Sequence, residues 1–407
     1  MTTPIPDNLN NPKTPYIGLA PYLRADIAGI DMHPLCEESL EQARSDLLNP
    51  ELWMNVSILL QCLGQRDLGL SMQAIALKQK RVFTLNAYEQ PAKIRLLLLS
   101  TPGDISANTP LDCLLEKSDV DLIFYYVSED DPLSTPIPEH DVLFIGIAES
   151  DENRHILTML AQTLAQWPKP VINKPQYIPT TGRDTASRLL SGAPGLVIPP
   201  TINASRATLQ QISAGHLHIA DQFPECELPL IIRPVGSQAG RDLERIERLE
   251  QLATYLDKVH EPNFFISRFI DYSGKDGQFR KFRVVLIDGK PYASHMGVSS
   301  HWMIHYVNAG MYENASKREE EAAFMEHFEA FTQRHRAALD VIYQRTNLDY
   351  LCIDCAETQD GQLLIFEIDH TMVVHAMDPV DMFPYKQRHI QKAVDAFRNY
   401  LFRLTAK

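Results

Sequence analysis

The chain has 407 residues, is 44% hydrophobic and 22% charged, and carries a formal net charge of -14. That length exceeds one ordinary core, so two or three domains are expected, and the acidic balance argues against general nucleic-acid binding. No apolar run approaches the ~20 residues that cross a bilayer, and Met1 to Pro15 is polar and proline-rich without a signal-peptide core, so a cytoplasmic protein with no membrane partner is expected.

Residues 1–30 read as an irregular arm, and a helical pattern starts near Leu35. Trp53, Val56, Leu60, Gly64, Gly69 and Ala76 carry bulky, small and turn residues where a tetratricopeptide repeat has them. Leu52 to about Arg81 thus resembles one such repeat, with Gly64-Gln65-Arg66-Asp67 as its turn; a generic helical hairpin is the other reading. A lone repeat cannot bury its own faces and must pack on the next domain or on another chain, which points to a homo-oligomer, most simply a dimer. Residues 1–90 are taken as this N-terminal helical unit.

At Lys93 the pattern changes. Ile94–Leu99, Asp121–Val127 and Val142–Ile147 read as buried strands, with helical stretches such as Arg154–Gln166 between and after them. Strands alternating with helices imply a parallel sheet covered on both faces, over residues 91–200. The loop after the first strand, with Gly103 and Ser106-Ala107-Asn108-Thr109, lies where ligands bind in such folds, but it is no GxGxxG fingerprint.

Residues 201–407 form the last unit. Asn173-Lys174-Pro175 and Gly182-Arg183-Asp184-Thr185-Ala186-Ser187-Arg188 lead into it. Leu230-Ile231-Ile232-Arg233-Pro234 is a strand stopped by proline, and the loop Gly236-Ser237-Gln238-Ala239-Gly240 can bring backbone N–H groups close to phosphates. Asn263 to Ile270 is a further strand. In Gln278 to Val285, alternation puts Lys281 and Arg283 on one face and Arg280 on the other, before an Asp288-Gly289 turn. His295, His301, His305, His370 and His375 cluster in sequence, and the i, i+4 pair His301 and His305 would suit zinc on a helix face. With HExxH missing and Trp302 and Tyr306 interleaved, a substrate-recognition surface or plain packing is the better reading. Arg318 to Arg345 reads as one long helix and Tyr385 to Leu404 as the closing one. The six cysteines are scattered in apolar contexts, and Cys352 and Cys355 face opposite sides of a strand, which disfavours shared metal or redox chemistry.

Between those helices stand Cys352-Ile353-Asp354-Cys355, Asp360-Gly361 and Phe366-Glu367-Ile368-Asp369, a hairpin around an Asp-Gly turn. Glu367 and Asp369 share one sheet face, and Asp354 can sit opposite them. Three carboxylates there repel one another unless a cation sits between them, and hard oxygen ligands suit Mg²⁺ arriving with substrate phosphates; an ordinary solvated acidic hairpin face is the other reading.

These blocks, in this order from Lys93 to Leu404, resemble the ATP-grasp superfamily of carboxylate–amine ligases, among them the D-alanine–D-alanine ligases and ribosomal-protein glutamate ligases. The resemblance implies an ATP-grasp α/β fold preceded by a parallel-sheet domain, and ATP with Mg²⁺ as cofactors. It implies metal ligation by Asp354, Glu367 and Asp369, and ATP binding by Arg188 (or Arg183), Arg233, Gly236, Ser237, Phe269, Ile270 and Lys281. Lys281 and Arg283 would be catalytic, and His301, Trp302, His305, Tyr306 and His370 would meet the substrate. The implied reaction joins a small carboxylate to an amine, or acts on a peptide, through an acyl phosphate. Arg233 stands where the family has Lys, Arg268 where it has an acid or Gln, and Asp369 where it has Asn. A small-molecule kinase and a nucleotide-binding scaffold without chemistry stay open as alternatives.

Overall fold

The computed structural model describes residues 16–406 except 129, 131, 238 and 239, so the first half of the expected arm and Gln238-Ala239 of the glycine-serine loop lie outside the described residues. The apolar runs become strands β1 (Val82–Leu85), β2 (Ile94–Ser100), β3 (Val120–Tyr126), β4 (Val142–Ile145) and β5 (Val171–Ile172), in the order β1-β3-β2-β4-β5. β2 to β5 are parallel, as expected, and Leu96 to Leu99 of β2 are fully buried at the sheet's centre. β1 runs antiparallel to β3 and was not legible, since four residues with a mixed burial pattern carry little periodic signal.

Helices 20–27, 33–45, 50–62 and 66–79 precede this sheet. The expected irregular arm is therefore corrected over 20–27, a helix with proline in its first turn and Tyr22 and Ala25 buried. Helices 50–62 and 66–79 form a hairpin in close contact: a Cβ on Gly69 would lie 2.6 Å from Gln61 Cγ and 2.9 Å from the Ser57 carbonyl oxygen. The hairpin packs on the next unit rather than standing alone. Gln73 exchanges two 2.9 Å hydrogen bonds with the Gly103 backbone, the Ile105 N–H donates to Gln61 Oε1 at 3.0 Å, and Arg66 pairs with Asp104 at 2.8 Å. Trp53, Met54, Phe83 and Leu96 share one core, so burial of apolar surface holds the units together.

The C-terminal part holds two mostly antiparallel sheets. β7 (Thr201–Ser205), β8 (Leu230–Pro234), β9 (Glu244–Ile246) and β10 (Asn263–Arg268) pair in the order β7-β10-β8-β9, backed by Leu209, Ile212, Leu252 and Tyr255 of helices 206–213 and 249–258. β11 (Phe279–Ile287), β12 (Lys290–Ser299), β13 (Tyr350–Glu357), β14 (Leu363–Asp369) and β6 (Leu196–Val197) pair in the order β12-β11-β13-β14-β6, with β6 parallel to β14. The β11–β12 turn has φ of 50° at Asp288 and 73° at Gly289, as a two-residue hairpin with right-handed strand twist requires. The expected long helix is in fact three, 315–326, 328–334 and 336–346, interrupted at His327 and His335, where ψ of 24° and 13° leaves the helical region. The closing helix is 386–405. The α/β class is as expected, and no helix among the described residues is long and apolar enough to cross a membrane.

Candidate active site

A cleft of about 590 Å³ lies where the facing sides of the two C-terminal sheets meet the N-terminal helices. Strand alternation aims Phe265 and Ser267 of β10 and Lys281 and Arg283 of β11 into it. Register does the rest: Asp354 pairs across β13 with both Arg283 and Glu367, and directly opposed residues share a face.

Asp354 is 2% exposed and takes a two-point grip from Arg283, Nε to Oδ1 at 2.7 Å and Nη2 to Oδ2 at 3.0 Å. Lys281 Nζ adds a third contact at 2.7 Å. Burial alone would raise this carboxyl, but Arg283 and Lys281 overcome it and hold it far below the usual carboxylate range. The two cations also brace the neighbouring loops: Lys281 donates to the Ile304 carbonyl and Arg283 to the Val373 carbonyl, both at 3.3 Å. Glu367 pairs with Arg183; burial raises its carboxyl, and Arg183 with Arg233 outweighs that, for a net lowering. Asp369 accepts from the Thr371 N–H at 3.0 Å and from Thr371 Oγ1 at 2.8 Å.

Arg233 is 8% exposed and donates from Nε to Ser237 Oγ at 3.0 Å and from Nη2 to the Ser237 carbonyl. Among the described residues no carboxylate comes within ion-pair distance of it. Burial, and then the Arg183 charge beside it, push its guanidinium down to about 10, still cationic at neutral pH. Two neighbouring guanidiniums, one of them without a carboxylate partner among the described residues, make this part of the cleft attractive to anions.

The structure divides the expected ligands. Arg233, Phe269, Ile270, Lys281, Arg283, Trp302, His305, Asp354, Glu367 and Asp369 all line the cleft. Arg188 does not: it is five residues, and so about 140° of helix, from Arg183, and pairs outward with Asp184 at 2.9 Å. Arg183 takes the place expected of Arg188. Gly236 and Ser237 sit in the turn after β8, where Ser237 holds Arg233 instead of lining the cleft. The Arg268 guanidinium turns aside to Glu227 at 3.6 Å. Among the described residues no three His, Cys, Asp or Glu side chains are grouped to hold a metal, so Asp354, Glu367 and Asp369 do not form the single ligand set expected.

The segment around His301 is corrected from a possible helix face to a loop ending in a short turn at Tyr306–Asn308. His301 is exposed on it and away from the cleft, whereas Trp302 packs edge-on to Phe269 at 5.8 Å and His305 abuts Gly240, whose Cβ would lie 2.2 Å from its Nε2. His370 is fully buried and its Nε2 donates to the Ile147 carbonyl at 3.0 Å, so it faces the parallel-sheet domain and not the substrate space. Tyr306 also points away. Its hydroxyl donates to Glu321 at 2.8 Å and accepts from Lys386 at 2.5 Å, inside a buried network in which Lys386 also meets Asp378 at 2.9 Å and Tyr385 donates to Glu321 at 2.6 Å. Tyr306 thus ties the Trp302–His305 loop to the domain core. Tyr306→Phe is expected to cost about 1–3 kcal/mol by leaving Glu321 and Lys386 each short of a partner. Urea unfolding reads this directly, and a change under about 0.5 kcal/mol would show that the network does not anchor the loop.

No protein-family model matches the chain, and no curated protein matches it. Among solved structures it is similar to D-alanine–D-alanine ligase from Bacillus anthracis complexed with ATP, at 14% identity and a TM-score of 0.47, over 77% of this chain and 99% of that one. It is similar to a RimK domain protein ATP-grasp from Sphaerobacter thermophilus at 13% identity and a TM-score of 0.42, over 76% and 99% of the two chains. VanG D-Ala:D-Ser ligase from Enterococcus faecalis gives 12% identity and a TM-score of 0.45, over 77% and 99%.

Proposed function

We propose that the cleft binds ATP with magnesium and that the protein is an ATP-grasp ligase joining a carboxylate to an amine. The observation that supports this most is the buried Arg233 beside the half-buried Arg183, both lining the cleft opposite a carboxylate-bearing hairpin. An overall acidic chain that concentrates guanidiniums at one point of a cleft is suited to hold a polyanion there.

In this reading Arg183 and Arg233 hold the phosphates, and Phe265, Phe269 and Ile270 cover the base. Glu367 and Asp369 fit a magnesium ion carried by the nucleotide, because both line the cleft and Mg²⁺ commonly takes one or two carboxylates beside phosphate oxygens. Asp354 does not fit, since both its oxygens are taken by Arg283 and Lys281. When bound, magnesium would withdraw charge from the phosphoryl oxygens. The role left to Asp354 is to fix Lys281 and Arg283 where charge develops, as preorganised cations that need not move during the reaction. A substrate carboxylate oxygen then attacks the terminal phosphorus, the bond to the bridging oxygen breaks, and ADP leaves. An amine attacks the acyl carbon of the acyl phosphate, phosphate departs, and one proton is released.

The test is ADP and phosphate release by the purified protein, with carboxylates and amines offered separately and in pairs. Release that needs both substrates supports the ligase. Phosphorylated product formed without an amine would replace it with a kinase.

A further inference from the structure

The cleft extends past the cations to an apolar end supplied by the N-terminal helices. Leu19, Leu23 and Asp26 all line it, and their i, i+4, i+7 spacing puts them on one face at helix 20–27. Ile105, 38% exposed, joins them from the loop after β2, with Met372 from the loop after β14 and Cys62 from the end of helix 50–62. Burial first, and then the Asp26 and Asp112 charges, push the Cys62 thiol up to about 12, so it stays neutral and adds no charge to this wall. Arg24, the cation nearest in sequence, is engaged with Glu116. Among the described residues no cation lies within ion-pair distance of Asp26, which stands exposed at the mouth.

An apolar wall edged by one unpaired carboxylate is complementary to an ammonium group on a hydrocarbon body. We propose that this end of the cleft is the subsite for an aliphatic primary amine, with Asp26 receiving the ammonium and Leu23 and Ile105 the carbon chain. It rests on the ligase reading in one respect: the amine bound here is the one that would meet the acyl phosphate. The N-terminal helices are then part of the site and set the choice of amine.

Binding of isoamylamine and of its uncharged counterpart 3-methylbutan-1-ol to the full chain, with and without MgADP, tests this by ligand-detected NMR. The amine is expected to bind about tenfold tighter than the alcohol, as one charge-assisted contact provides. Asp26→Asn should erase that difference, Leu23→Ser should weaken both probes, and neither variant should alter MgADP binding. Equal binding of amine and alcohol, an unaffected Asp26→Asn protein, or no binding of either probe would each overturn the subsite. A native protein that binds the amine but not MgADP would keep the subsite and overturn the nucleotide reading instead.

Discussion

Asp354→Asn is expected to destabilise the protein by about 3–5 kcal/mol at neutral pH, the usual cost of removing one member of a buried ion group and leaving the rest uncompensated. Lys281 and Arg283 are both mostly buried, and Asp354 is the only carboxylate within ion-pair distance of either among the described residues. The pH dependence has a definite sign. The Asp354 carboxyl is held below its unfolded value, so its contribution is present above about pH 4 and is lost as the pH falls through the lower folded value. The native protein should therefore lose stability more steeply below about pH 4 than Asp354→Asn does. Denaturant unfolding between neutral and acid pH measures both effects. Parallel curves for the two proteins would show that Asp354 is not the counter-charge described.

Glu367→Gln is expected to lower turnover on the order of 10²–10³-fold while leaving MgATP affinity unchanged or higher. The substitution keeps the side-chain volume and removes the charge that pairs with Arg183. Arg183, no longer shared with Glu367, then engages the phosphates more fully, while the hairpin loses one of the two carboxylates suited to magnesium. A stability loss is not the expected readout, because Glu367 lies at the cleft surface, about a quarter exposed. Single-turnover ADP formation and nucleotide binding, measured on the same sample, separate the two effects. Unimpaired turnover would remove Glu367 from the chemistry.

Much of the large-scale architecture was legible because it is carried by local signals. The runs Ile94–Leu99 and Val142–Ile145, the Asp288-Gly289 turn and the Asp354, Glu367 hairpin each announce themselves within a few residues. What was not legible depends on rotation and on distant partners. Arg183 and Arg188 occur on the same short helix, and only its orientation against β14 decides which reaches the cleft. Asp354 reads as a metal ligand beside Glu367, but Lys281 and Arg283, some seventy residues earlier, claim both its oxygens through the β11–β13 register. Tyr306 and His370 fall among aromatic and histidine residues suited to recognition, and tertiary packing turns them to Glu321 and Ile147 instead. Helix 20–27 is short and weakly periodic, so neither it nor its cleft-facing Leu23 and Asp26 stood out.

The most direct measurement is calorimetric titration of MgATP into the native protein, Arg233→Met and Arg188→Met. The native protein should bind in a magnesium-dependent manner, Arg188→Met should bind equally well, and Arg233→Met should lose about 2–5 kcal/mol of affinity, as removal of a buried charged contact does. Equal loss at both positions, or native protein that does not bind MgATP, would contradict the assignment of this cleft to a nucleotide.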